Sequence, residues 1–136
     1  MQRLAREQVP LTVCPLSNVK LCVFPDLERH NVAQLMDAGL CVTVNSDDPA
    51  YFGGYVNENY LQLLRAQPRL QAAHFYRMLQ NSLQSSFAPV ADVARWQKAL
   101  EALRQRMPAL VWKSARGEYA LEDAAMHRWF DHLAAA

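Results

Sequence analysis

The sequence predicts an α/β chain in which two short parallel strands are joined by a crossover helix and followed by a longer helical tail. Three observations carry this reading. Two apolar segments, 9–14 (VPLTVC) and 40–45 (LCVTVN), are short, rich in β-branched residues and bounded by turn formers. Between them, 31–39 (NVAQLMDAG) places Val32, Leu35 and Met36 at helical spacing. From residue 55 onward, three amphipathic stretches follow one another with no further strand pattern. Two strands alone make a poor sheet, so the chain reads as part of a larger α/β design.

In order, residues 2–8 (QRLAREQ) are good helix formers and read as the last turns of a helix. No capping residue precedes them, and Met1 stands where a helix would be under way. Segment 9–14 is expected to be a buried strand. Residues 15–30 read as an irregular loop broken by Pro15, Ser17, Asn18 and Pro25. Asn31 is a candidate cap for the crossover helix and Gly39 its stop. Segment 40–45 is apolar on both faces, as a strand covered on both sides would be. Loops 15–30 and 45–54 leave the carboxyl ends of the strands, where parallel α/β units carry their function. Stretches 55–66, 70–87 and 90–106 are expected helices, interrupted at Pro68 and at Pro89. Residues 108–120 are ambiguous, and 120–136 read as a last helix.

Composition excludes several functions. Apolar residues make up 51% and charged residues 20%, and Lys plus Arg number 14 against 13 acids, for a formal charge of +1. That balance offers neither nucleic acid nor an anionic membrane an electrostatic footing. No apolar run approaches the roughly 20 residues of a membrane span, and the N-terminus lacks the apolar core of a signal peptide. Cys14, Cys22 and Cys41 are an odd set without a disulfide pattern, which fits a reducing, cytoplasmic setting.

The stretch VTVNSDDPAYFGGY (42–55) carries the chemistry. Side chains alternate along a strand, and Pro49 biases Asp48 toward an extended backbone, so Asp47 and Asp48 should diverge. One carboxylate at the carboxyl end of a parallel strand is placed to ligate a metal or orient a water. The other could accept a hydrogen bond from a substrate. Gly53 and Gly54 would let the backbone pass close to a ligand. The same residues are also good turn and helix-cap chemistry, and the spacing alone leaves both readings open.

Beyond the local chemistry, CPLSNVKLCVF (14–24) followed by AGLCVTVNSDDPAYFGGYVNENY (38–60) resembles the C-terminal part of the adenosine/adenine deaminase family. QNSLQSSFAP (80–89) resembles that family's helical segment after the barrel, and the resemblance covers residues 2–100. It implies a zinc-dependent purine aminohydrolase on a (β/α)₈ barrel. The chain would be a C-terminal barrel fragment: 1–54 holding the last βαβ portion, 55–106 the C-terminal helices, and 107–136 an unrecognised, partly helical tail. It also implies roles. Asp47 matches the catalytic, zinc-ligating aspartate that orients the attacking water, and Asp48 matches the aspartate that hydrogen-bonds the purine near N7. Ser17, Asn18 and Lys20 lie in the matching loop without an assigned role. The wording is closer to the adenine branch than to the adenosine branch.

The family's remaining zinc ligands are histidines, with a glutamate as proton shuttle, and these lie upstream of the matched segments. This chain has His30, His74, His127 and His132, with no His-x-His. A capping or surface role is expected for His30, and a packed or exposed one for His74. His127 and His132 are five apart, a poor helical metal spacing. One aspartate cannot supply the three or four ligands zinc needs. The chain alone is therefore expected to retain no zinc and to be inactive, as a truncated, split or misstarted gene would be. An N-terminal barrel fragment or self-association is the expected partner, and adenine the family substrate. Three alternatives are an adenosine deaminase fragment, a non-enzymatic binding or regulatory module reusing the βαβ unit, and, more weakly, a Cys14 or Cys41 nucleophile. The stripe Trp96, Leu100 and Leu103 is expected to be core.

Overall fold

The computed structural model describes residues 1–106, and these fall into two compact units, one spanning Met1–Leu70 and the other beginning at Gln71.

In the first unit, α1 (Gln2–Glu7) ends at Gln8, whose backbone is left-handed at φ 49°. The Gln8 amide donates to the carbonyls of Ala5 and Gly39, at 2.6 and 3.0 Å. β1 (Pro10–Val13) and β2 (Cys41–Val44) then pair in parallel, Pro10 opposite Cys41 and Val13 opposite Val44. The expected strands are both present. All four residues of β2 are buried, as its two-faced apolar pattern requires. β1 departs from the expectation of a buried strand: only Val13 is buried. The helices Val32–Asp37 and Val56–Ala66 pack against β2, which covers it beyond its pairing with β1.

The crossover contains more helix than expected. Pro15, read as a breaker, instead opens α2 (Pro15–Lys20). A proline in the first turn removes only an N–H that would have no helical partner and presets the helical φ. α3 (Val32–Asp37) buries Val32, Ala33 and Met36. Asn31 occupies the cap position without a side-chain bond, and His30 Nδ1 accepts from the Val32 N–H at 3.2 Å instead. Gly39, at φ 73°, stops the helix as expected. Its N–H donates to the Met36 carbonyl and that of Leu40 to the Leu35 carbonyl, a paired bonding that needs a left-handed residue at the turn.

After β2, the segment 45–54, expected as a loop with helix-cap chemistry as one of its readings, contains the short α4 (Pro49–Phe52), and α5 (Val56–Ala66) matches the expected stretch. Buried Val32, Leu40, Val42, Val44 and Leu63 contribute to the apolar interior of this unit. The buried Gln67 amide donates at 2.7 Å to the carbonyls of both Leu27 and His30, fixing the turn that precedes α3.

The second unit contains α6 (Ala72–Gln84), which buries Phe75 and Met78, and α7 (Val90–Arg106). α6 starts on a capping box in which the Gln71 N–H donates to His74 Nδ1 at 3.0 Å. His74 is half-buried. Tyr76 on α6 donates to Glu101 on α7 at 2.9 Å. Hydrogen bonds from Arg104 first, then from Gln105 and Tyr76, hold the Glu101 carboxyl down at about 2. The stripe expected as core is not buried among the described residues: Trp96 is exposed and Leu100 and Leu103 are half-buried. Residues 107–136, including His127, His132 and the expected last helix, lie outside the described residues.

A candidate active-site corner at the carboxyl ends of the strands

β2 runs out into Asn45, Ser46, Asp47 and Asp48, and β1 into Cys14 and α2, so both carboxyl ends open on one side of the sheet. The Asn45 N–H donates to the Val13 carbonyl at 2.8 Å and carries the ladder one residue past the strand. Two residues later the backbone turns: Asp47 is left-handed at φ 58°. Asp48 returns to an extended conformation, φ −92° and ψ 100°, as the following proline requires.

The two carboxylates diverge as expected, and the left-handed residue between the strand and Asp48 contributes to this. Asp47 Oδ2 accepts from Ser17 Oγ at 2.7 Å. Ser17 is buried in α2, so a hydroxyl from the β1 loop reaches a carboxylate from the β2 loop. Asp48 Oδ1 accepts from the N–H groups of Ala50 and Tyr51, both at 3.1 Å, and so caps α4. The cap reading is thus real for Asp48, and it uses one oxygen. Both aspartates are exposed.

The neighbours are polar but quiet. Cys14 is half-buried, and its thiol is pushed up by burial and then by the Asp47 charge, with the Asp47 backbone N–H acting the other way. That is the opposite of what a nucleophilic thiolate needs. Cys41 is buried. Asn18, next to Ser17, faces His30: Nε2 and Oδ1 are 3.0 Å apart. Because Nδ1 accepts from Val32, Nε2 carries the proton and donates to Asn18. The His30 ring is buried, with the Phe24 ring 4.4 Å away, and burial lowers its pKa to about 4. The capping role expected for His30 holds and the surface alternative does not. Lys20 is exposed at the end of α2.

Sequence reasoning placed Ser17 near the aspartates and did not foresee its bond to Asp47. It missed Asn59 altogether. This buried residue of α5 accepts the Leu16 N–H on Oδ1 at 3.0 Å. A separate cleft, lined in part by His30, Gln67 and Arg69, has none of Ser17, Asp47 or Asp48 in its wall. Among the described residues, no group of three or more His, Cys, Asp or Glu could hold a metal ion. No helix among them is long and apolar enough to cross a membrane.

Parallel strands joined by helices, with polar side chains gathered at their carboxyl ends, define an α/β chain of the kind that places ligand sites there. The family model described as adenosine deaminase matches residues 1–102, and the chain belongs to that family. It is 54% identical over 104 residues to an adenine deaminase of Trichlorobacter lovleyi, covering 76% of this chain and 30% of the relative. An adenine deaminase solved from Arthrobacter aurescens superposes with a TM-score of 0.72 at 44% identity, covering 76% of this chain and 32% of the other. An amidohydrolase of Burkholderia ambifaria, solved with bound Zn, shares the fold at a TM-score of 0.64 and 20% identity, covering 77% of this chain and 29% of the other. The chain thus spans less than a third of the length of the relatives cited here.

Proposed function

We propose that this chain is the C-terminal portion of a (β/α)₈-barrel adenine deaminase, which hydrolyses adenine to hypoxanthine and ammonia. In this reading β1 and β2 are the last two barrel strands and Asp47 and Asp48 one corner of the active site. The observation that carries it is the division of labour between the two aspartates: Asp47 is turned onto Ser17, and Asp48 onto α4. The similarity to adenine deaminases supports adenine rather than adenosine.

Zinc is the metal bound in the B. ambifaria relative. The described residues alone do not fit it, because Asp47 is a single carboxylate and no histidine joins it. In the assembled protein, Asp47 would supply one ligand, with Ser17 fixing its orientation through Oδ2. Bound zinc would supply activation of the attacking water. Asp48 Oδ1 is spent on the cap, which leaves Oδ2 to hydrogen-bond the purine near N7. Substrate would be gripped by one carboxylate and aligned against the other.

The test is ammonia release with adenine and with adenosine. It compares the isolated chain with the chain joined, fused or in trans, to the preceding two thirds of an adenine deaminase. We expect no turnover and no tight zinc binding by the chain alone, and zinc-dependent turnover of adenine by the assembly. In that assembly Asp47→Ala should lower turnover and metal retention by orders of magnitude. Asp48→Ala should keep the metal and lose about tenfold to a hundredfold in catalytic efficiency, the equivalent of one hydrogen bond to a charged group. Tight one-to-one zinc binding by the isolated chain, or indifference of the assembly to both substitutions, would overturn this reading.

A further inference from the structure

We propose that Asn59 is a positioning residue for the Asp47 carboxylate, acting through Leu16 and Ser17 without touching Asp47 itself. This rests on the reading of Asp47 as a site residue, and it assigns a role to a side chain on a helix beyond the site.

Asn59 is 0% exposed, and both ends of its amide are committed. Oδ1 accepts the Leu16 N–H at 3.0 Å, which satisfies a donor in the first turn of α2 that has no helical partner. Nδ2 donates to the Tyr55 carbonyl at 3.0 Å and the Gly54 carbonyl at 3.4 Å. Leu16 lies in α2, which directly follows β1, and Gly54 and Tyr55 in the chain that follows Asp47, Asp48 and α4. One buried amide therefore joins the two strand-end loops. The Leu16 and Glu58 side chains also lie close against the Gly54 backbone at this point. A Cβ added to Gly54 would lie 2.5 Å from Leu16 Cδ1 and 3.0 Å from Glu58 Cγ. One residue along from Leu16, the buried Ser17 hydroxyl meets Asp47 Oδ2 at 2.7 Å. With Leu16 held, Ser17 is held in register. With Leu16 released, α2 can slide and the Ser17 hydroxyl loses its target.

A core asparagine that merely satisfies its neighbours would contribute stability independently of Ser17. Positioning predicts that the two are coupled, although they do not touch. A double-mutant cycle on the intact chain, followed by denaturant unfolding, separates these. We expect the drop in the folding equilibrium constant caused by Ser17→Ala to shrink by about threefold or more in the Asn59→Ala background. Equal drops in the two backgrounds would overturn the proposal.

Should Asn59→Ala fail to fold, Asn59→Leu keeps the approximate size of the side chain and removes the acceptor for Leu16. The ¹³Cγ resonance of Asp47 at fixed neutral pH should then move in the direction that Ser17→Ala moves it, and an unmoved resonance would overturn the proposal. Neither measurement involves metal or substrate. Failure of the deaminase reading would show instead as an assembled enzyme indifferent to Asp47.

Discussion

Ser17 and Asp47 lie thirty residues apart in sequence and 2.7 Å apart in the fold, joined by a hydroxyl-to-carboxylate hydrogen bond. The bond links two loops that the parallel pairing of β1 and β2 brings to the same side of the sheet. It also turns an exposed carboxylate into an oriented one, since Oδ2 is engaged and the backbone at Asp47 sits in a sparsely used conformation.

Removing that bond has a measurable cost. Ser17→Ala should destabilise the first unit by about 1 kcal/mol. This sits below the range for a hydrogen bond to a buried charged group, because Asp47 is exposed to water that can replace the donor. The shift in denaturant midpoint checks it, and an unchanged midpoint would count against an energetic role for the pair.

Asp48 is expected to behave as a helix cap in the isolated chain. Asp48→Ala removes the acceptor for the Ala50 and Tyr51 N–H groups and should cost about 1 kcal/mol. Asp48→Asn should cost far less, since asparagine caps nearly as well. Amide exchange at Ala50 and Tyr51 is the direct readout: faster in the alanine variant, close to wild type in the asparagine variant.

His30 should make the first unit acid-sensitive. Its folded pKa is about 4, against 6.5 for the free side chain. Above pH 6.5 both states are neutral and pH has no effect through this group. As pH falls from 6.5 toward 4, the unfolded chain binds a proton that the folded chain refuses, so stability drops. The full loss is about 3 kcal/mol and is complete below the folded value. His30→Asn should flatten this part of the stability–pH curve. A curve of the same slope in the variant would show that another group causes it.

The adjacent glycines should respond to alanine for different reasons. Gly53, at φ 82°, has open space around its α-carbon, so Gly53→Ala meets only the backbone penalty, about 1 kcal/mol or somewhat more. Gly54 has no such φ, but its new methyl would meet Leu16 and Glu58. Gly54→Ala should therefore disturb the amide resonances of Leu16 and Ser17, and Gly53→Ala should leave them in place. A two-dimensional amide spectrum of each variant distinguishes the cases.

Much of this fold was legible because its signals are local. The spacing of Val32, Leu35 and Met36, the glycine at 39 and the uninterrupted apolar run of β2 each specify their own element. The errors came where a local signal has two meanings. Pro15 read as a breaker, yet it opens a short helix, and the turn and cap chemistry before Pro49, which left two readings open, leads into another. β1 was expected to be buried because its composition is apolar, but burial depends on which helices cover a strand, and α3 and α5 pack on β2.

The site was half legible. Adjacent aspartates before a proline announce themselves. The residues that orient them, Ser17 and Asn59, are ordinary polar side chains whose importance arises only from contacts across thirty and forty-three positions.

The left-handed backbone at Asp47 restricts what evolution could place there. Among side chains, aspartate and asparagine enter that conformation with comparative ease, whereas longer or branched ones resist it. Glutamate would preserve the charge and strain the chain. Asparagine would preserve the chain and discard the charge. Alanine would forfeit both, so a defect in Asp47→Ala mixes a conformational loss with a chemical one, and Asp47→Asn isolates the second. The main chain thus selects the shorter of the two acidic residues at this position before any ligand is considered.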